Sequence, residues 1–167
     1  MKRAHFGTWT LAAFLAAAAP AVVPAQERAL HVDVPVKLER ADVVFNMDHL
    51  AFQGDYPVGM KYMHLLAQRL KETGAKGRIV AVFHGQAAYM TLNDKAYDAH
   101  RKVSTGNPYK KLIADLQAEG VQIEECAVSM RGNGWVNDDL LPGVKVNSGA
   151  VGRIVQLVQQ GYVQIQP

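Results

Sequence analysis

The sequence has a single cysteine, Cys126, among its 167 residues, so no internal disulfide can form. It also lacks closely spaced ligand pairs such as CxxC, HxH or HxxxH, which makes a structural zinc site improbable. The fold must therefore depend on its hydrophobic core. We predict no metal and no cofactor.

Several enzyme signatures are also missing. The sequence contains no GxxxxGK[ST] loop, no GxGxxG following a strand, and no GxSxG elbow. These absences argue against nucleotide-loop enzymes and serine hydrolases as first choices. No apolar run approaches the about 20 residues of a spanning helix, so we expect no membrane span in the mature form.

The N-terminus has the pattern of a Sec-type signal peptide. Lys2 and Arg3 precede the uncharged apolar run from Trp9 to Ala19, and Val23-Pro24-Ala25 offers small residues for cleavage after Ala25. We predict a signal peptide over residues 1–25 and a periplasmic location, and an uncleaved N-terminal anchor is the alternative. An N-terminal extension over 26–40 and a domain over 41–167 would follow.

The overall charge argues against a nucleic-acid partner. The 18 basic residues exceed the 15 acidic ones, but the excess includes Lys2 and Arg3 of the predicted signal peptide. The mature chain is nearly neutral, without a basic patch for nucleic acid or anionic lipid.

Strand and helix patterns alternate through the domain. Gly74 and Pro57 suit the two ends of the first helix, and Gly106 is expected to break the second helical region. We predict five strands, Asp42–Met47, Arg78–His84, Val121–Ala127, Val144–Asn147 and Tyr162–Ile165. We predict helices over 57–73 and 93–119. A further helix, capped by Ser148, is expected between the last two strands. This alternation predicts an α/β fold, with a mostly parallel sheet of about five strands and helices on both faces.

Ligands of such sheets bind beyond the carboxyl ends of the strands. The side chains and turns expected at this edge are Asp48, His49, His84, Gly85, Cys126, Asn147 and Ser148. The only thiol is therefore expected near two histidines and a serine.

The surroundings of Cys126 predict two opposing influences on its thiol. Arg131 and a glycine-bearing turn at 132–134 could stabilise a thiolate or a persulfide anion. Glu124 and Glu125 would raise the thiol pKa if they lay close and charged, and strand alternation places only Glu124 on the face of Cys126. A buried cysteine that acts as a small hydrophobe is the alternative.

The two histidine positions also have two readings each. His84 could activate the thiol or bind a small anion, or it could only hydrogen-bond across its loop. Asp48 and His49 could belong to the site or serve the turn that contains them.

Three segments resemble the DsrE/DsrF-like family, in an exported branch. They are the block GVQIEECAVSM around Cys126, the stretch from Asn137 to Ile165, and the stretch from Ile79 to Leu92. The resemblance spans roughly Ala41 to Ile165. It implies a three-layer α/β/α fold, homo-oligomers, and, as in sulfur-transfer members, a persulfide on the cysteine equivalent to Cys126.

Three functions remain open from the sequence. The leading one is a sulfurtransferase-like carrier that holds sulfane sulfur on Cys126, with a small molecule or a protein as sulfur donor or acceptor. The second is a non-catalytic module that binds a small ligand or assembles with partners. The third is redox sensing through an intermolecular disulfide.

Overall fold

The computed structural model describes residues Leu30–Pro167, and the predicted signal peptide lies outside them. Residues Val36–Pro167 form one compact unit. Its strands are β1 Arg40–Met47, β2 Phe52–Gln53, β3 Tyr56–Pro57, β4 Lys76–Phe83, β5 Gln122–Cys126, β6 Lys145–Asn147 and β7 Val163–Ile165. Its α-helices are α1 Val58–Thr73, α2 Asp94–Arg101, α3 Lys110–Ala118, α4 Ala127–Asn133 and α5 Ala150–Gln159, and 3₁₀ helices cover Gly85–Thr91 and Asn137–Asp139.

Five of the strands form one parallel sheet in the order β6-β5-β4-β1-β7. Helices flank the sheet on both faces, which confirms the predicted three-layer α/β/α fold. β2 and β3 pair as a short antiparallel ribbon, in a segment that the sequence predicts to be a loop. In the described part of the chain, no helix has the length and apolar character needed to cross a membrane.

The core consists of two layers, because side chains alternate across the sheet. Phe45, Ile79 and Phe83 point toward the larger layer, which includes Met60 of α1 and Met130 of α4. Val44, Val80, Val82 and Cys126 point the other way and pack against Ile154 and Leu157 of α5. The thiol therefore belongs to the thinner layer, beneath α5.

The ends of the predicted elements differ from the structure at a few positions. Gly74 ends α1 in the left-handed conformation, as predicted, whereas Pro57 precedes the helix instead of occupying its first position. The prediction that Ser148 caps α5 is wrong, because Gly149 precedes this helix and no side chain caps it. The prediction of a glycine-bearing turn at 132–134 is also wrong. Helix α4 extends to Asn133, and Gly134 follows it in the left-handed conformation.

Candidate functional site

Three neighbouring strands bring polar side chains together around Cys126. The register pairs Cys126 of β5 with Asn147 of β6. It also pairs Phe83, the last residue of β4, with Glu125, so His84, which follows this strand, lies opposite Cys126. Neighbouring strands are about 5 Å apart, and alternation directs His84 and Cys126 to the same face. The register therefore gives His84 and Cys126 adjacent positions on the same face of the sheet.

The thiol lies at a junction between a strand and a helix. β5 ends at Cys126 and α4 begins at Ala127, so the first amides of α4 lie beside the sulfur. The amide of Ala150, at the start of α5, donates to Sγ at 3.3 Å. The Cys126 residue is 3% exposed.

The pKa of the Cys126 thiol depends on two opposing effects. Burial works to raise this pKa, but hydrogen bonds from the amides of Ser129, Ala150 and Val128 and from the Ser129 side chain outweigh burial. The net result is a pKa below the ordinary value of a cysteine. Hydrogen bonds to the charged form stabilise it, so the site favours a thiolate.

Ser129 also links the thiol to the end of β4. Its Oγ accepts a hydrogen bond from the Gly85 amide at 3.2 Å. Gly85 has φ +56°, and a Cβ at this position would lie 2.7 Å from the carbonyl oxygen of Asp48. Only glycine fits this turn without a backbone shift. Sequence reasoning missed Ser129, because the helix that brings it back to the sulfur was not predicted.

The side chain of His84 has a defined tautomer. The Asn46 amide nitrogen donates to Gln166 Oε1 at 3.2 Å, which leaves Asn46 Oδ1 as an acceptor. His84 Nε2 lies 2.6 Å from this oxygen and must be the protonated nitrogen. Burial lowers the pKa of His84, with Asp48 acting in the opposite direction. A neutral His84 therefore keeps a lone pair on Nδ1, which can accept a proton.

Glu124 is buried but its charge is neutralised. Arg153 of α5 donates to both of its carboxylate oxygens, at 2.8 Å from Nη2 and at 2.9 and 3.1 Å from Nε. Burial works to raise the pKa of Glu124, but hydrogen bonds from Arg153, Gln122 and Asn147 lower it overall. The Glu124 carboxylate is thus bound by these partners, and its charge raises the pKa of the thiol little.

Glu125 faces the opposite layer and is fully buried. Burial raises its pKa to about 8, although a hydrogen bond from the Cys126 amide works to lower it. Thr91 Oγ1 lies 2.8 Å from Glu125 Oε2 and 3.0 Å from the Ala88 carbonyl oxygen. One hydroxyl proton cannot serve both acceptors. A protonated Glu125 that donates to Thr91 satisfies both contacts, so Glu125 is neutral at neutral pH.

The other predicted site residues lie farther from the sulfur. Asp48 and His49 contact each other at 2.5 Å, and Gln166 also donates to Asp48 at 2.9 Å. Arg131 is exposed in the last turn of α4, and within the described residues no hydrogen bond or ion pair joins it to Cys126. Ser148 is exposed and lines a groove with Glu124, Asn147 and Arg153.

No group of three or more potential metal ligands occurs in the described part of the chain.

Comparison with known proteins identifies the family. The model of the DsrE/DsrF-like family matches residues 39–167, which is most of the chain. The chain belongs to the DsrE/DsrF-like family. This family is associated with sulfur relay. No curated protein matches the chain.

Solved structures that share the fold include those of the proteins MTH1491 and YchN. The protein of unknown function MTH1491 from Methanobacterium thermoautotrophicum is 24% identical, with a TM-score of 0.59, and the alignment covers 76% of this chain and 99% of that one. The YchN protein from E. coli is 15% identical, with a TM-score of 0.51 and the same coverage of each chain. At these identities the likeness shows the fold alone.

The first prediction concerns the hydroxyl of Ser129. Replacing Ser129 with alanine removes a hydrogen bond that stabilises the thiolate, so the pKa of Cys126 should rise. The rate of alkylation by iodoacetamide, measured against pH, should then reach its half-maximum at a higher pH than in the unchanged protein. Ser148→Ala is the matched control and should leave the profile unchanged. A Ser129→Ala profile that coincides with the control would refute this role.

The second prediction concerns Glu125. Because burial raises its pKa from 4.5 to about 8, folding favours its protonated form. The contribution of Glu125 to the free energy of unfolding is fully present below pH 4.5 and is lost as the pH rises to about 8. The free energy of unfolding falls over this range by at most about 1.4 kcal/mol per pH unit. Glu125→Gln mimics the protonated acid and should lose this dependence. Chemical denaturation from pH 5 to 9 measures it.

The matched control for this experiment is Glu72→Gln, which removes an exposed acid from α1. At each pH, the free energy of unfolding of the unchanged protein is subtracted from that of the variant, which cancels the titration of the other groups. For Glu125→Gln this difference in the free energy of unfolding should increase with pH, because the unchanged protein loses stability and the variant does not. A difference that is constant across this range would show that Glu125 is ionised in the folded protein.

Proposed function

We propose that the protein carries sulfane sulfur as a persulfide on Cys126. The observation that carries the proposal is the position of the thiol at the junction of β5 and α4, where hydrogen bonds from three amides lower its pKa. Membership of a family associated with sulfur relay supports the same chemistry.

The proposed loading step is a nucleophilic displacement. The Cys126 thiolate attacks the outer sulfur of a donor such as thiosulfate, and a new S–S bond forms. The S–S bond of thiosulfate breaks and its electron pair leaves with sulfite. One thiolate and one thiosulfate dianion thus give one persulfide anion and one sulfite dianion, without any cofactor or net oxidation.

Each neighbouring group has a role in this proposal. His84 Nδ1 accepts the thiol proton when the thiolate forms, because Nε2 is bound to Asn46. The amides of Ser129, Ala150 and Val128 hold the anion that develops on sulfur. They replace Arg131 as the main anion-stabilising groups, since Arg131 lies at the far end of α4.

The low exposure of Cys126 limits its reaction partners. At 3% exposure, a small donor reaches the sulfur more easily than a bulky one. The same burial disfavours a disulfide between two chains, because both sulfur atoms would have to come to the surface. We also propose that the protein acts in the periplasm, on the basis of the predicted signal peptide. Cell fractionation tests this location.

The third prediction tests the loading step by mass spectrometry. After incubation with thiosulfate or polysulfide, Cys126 should gain the mass of one sulfur atom, and dithiothreitol should remove it. Cys126→Ser should gain none. His84→Gln should load more slowly at pH values below the thiol pKa, where a base must still accept the thiol proton. If Cys126 stays unmodified with both donors, the carrier function is wrong and the binding-module alternative is favoured.

We further propose that the protein forms homo-oligomers through the outer face of α5. Val151, Val155 and Val158 of this helix are 75%, 50% and 45% exposed. Contiguous exposed apolar surface of this kind is typical of a protein interface, and a second copy of the chain offers a matching apolar surface.

The fourth prediction concerns this face. Val155→Glu places a charge in the middle of the valines and should lower the molar mass measured by light scattering after size exclusion. Val136→Glu is the matched control, because Val136 is 60% exposed but lies away from α5. An equal mass for both variants and the unchanged protein would show that α5 is not the interface.

A further inference from the structure

A recess lies next to the site, on the face of the sheet opposite to α5. Its volume is about 240 Å³, and its walls include Gly85, Tyr89, His100, Arg101, Asn133 and Trp135. These residues come from the 3₁₀ helix that follows β4, from α2, and from the end of α4 and the segment after it. The sulfur of Cys126 points to the other layer, so the recess is not part of the thiol site.

Aromatic rings form one side of the recess. The His100 ring stacks on Tyr89 with centroids 5.9 Å apart, and meets Trp135 edge-on at 5.0 Å. Tyr89 is buried, at 6% exposure, and further ring contacts with Tyr97 and Tyr109 support it from behind. The wall is therefore held in place and offers apolar surface to a flat ligand.

The charge of the recess is positive. Arg101 lies with its guanidinium carbon 4.6 Å from the centre of the Tyr89 ring. No carboxylate belongs to the residues that line the recess, and none within the described residues forms an ion pair with Arg101. Arg153, by contrast, is bound to Glu124, and Arg40 and Arg78 are bound to Asp42. Burial and the charge of Arg101 both lower the pKa of His100.

The size of the recess limits the ligand. A closed apolar cavity of about 150 Å³ holds benzene, whereas pockets for drug-sized ligands start at roughly 300 Å³. A volume of 240 Å³ thus suits a single ring that bears one small polar group. The guanidinium of arginine binds carboxylate and other oxyanions through paired hydrogen bonds.

We propose that this recess binds a small organic anion, in which a carboxylate or sulfonate is attached to one flat apolar ring. The acid group pairs with Arg101 and the ring packs against Trp135 and His100. The site does not depend on sulfur chemistry at Cys126. Ser129 connects it to the thiol site, because its Oγ accepts from the Gly85 amide and its carbonyl oxygen accepts from the Asn133 side chain.

The test is an NMR titration of the isotope-labelled protein with benzoate and with benzenesulfonate. The indole N–H of Trp135 and the amides of Gly85 and Arg101 should shift together and saturate. Benzyl alcohol and benzylammonium have the same ring without the negative charge, and should bind at least about 10-fold more weakly. Equal affinity for benzyl alcohol and benzoate, or an absence of saturable shifts, would overturn the proposal.

Two variants separate the recess from the rest of the protein. Arg101→Gln keeps most of the side-chain stem but loses the charge, and should weaken benzoate binding about 10-fold. Lys95→Gln removes an exposed charge from the same helix, outside the recess, and should bind as the unchanged protein does. Cys126→Ser should also bind normally. Unchanged binding by Arg101→Gln, or loss of binding in either other variant, would contradict the assignment.

Discussion

Strand β5 ends at Cys126 and helix α4 begins at the next residue, and the chemistry of the site depends on this junction. A helix that starts directly at a strand end brings its first free amides to the side chain of the last strand residue. The start of α5 adds the amide of Ala150 from the other side. An anion on the sulfur is therefore stabilised by backbone groups that the fold itself fixes. The neighbouring strands place His84 and Asn147 beside it through their register.

The two glutamates before Cys126 show how position decides the effect of a charge. From the sequence, each would oppose a thiolate if it lay close and charged, and alternation places only Glu124 on the face of Cys126. In the structure, Glu124 lies on the face of the thiol but is bound by Arg153. Glu125 lies on the other face, and burial keeps it protonated. Neither places an unpaired negative charge beside the sulfur, so the amides determine the pKa of the thiol.

The sequence predicts the parts of the fold that follow from periodicity and misses those that depend on distant contacts. The strands, the α/β alternation and the sheet edge that carries His84 and Cys126 follow from apolar runs and from glycines such as Gly74. Helix α4 was missed because Gly132 and Gly134 flank a short segment that is typical of a turn. Ser129 and the tautomer of His84 could not be predicted, since they depend on Gly85 and on Gln166, which lie far away in the sequence. The wrong cap at Ser148 has the same origin, since the direction of one side chain depends on tertiary packing.

A sulfur carrier needs a thiol that is ionised near neutral pH, and this requirement is the central claim of the account. Because the chain has only one cysteine, the thiolate can be titrated directly by its ultraviolet absorbance, with Cys126→Ser as the blank for tyrosine ionisation. The account predicts a midpoint clearly below that of an ordinary cysteine thiol. A midpoint at or above the ordinary value would show that burial prevails over the amides, and would contradict the proposed chemistry at Cys126.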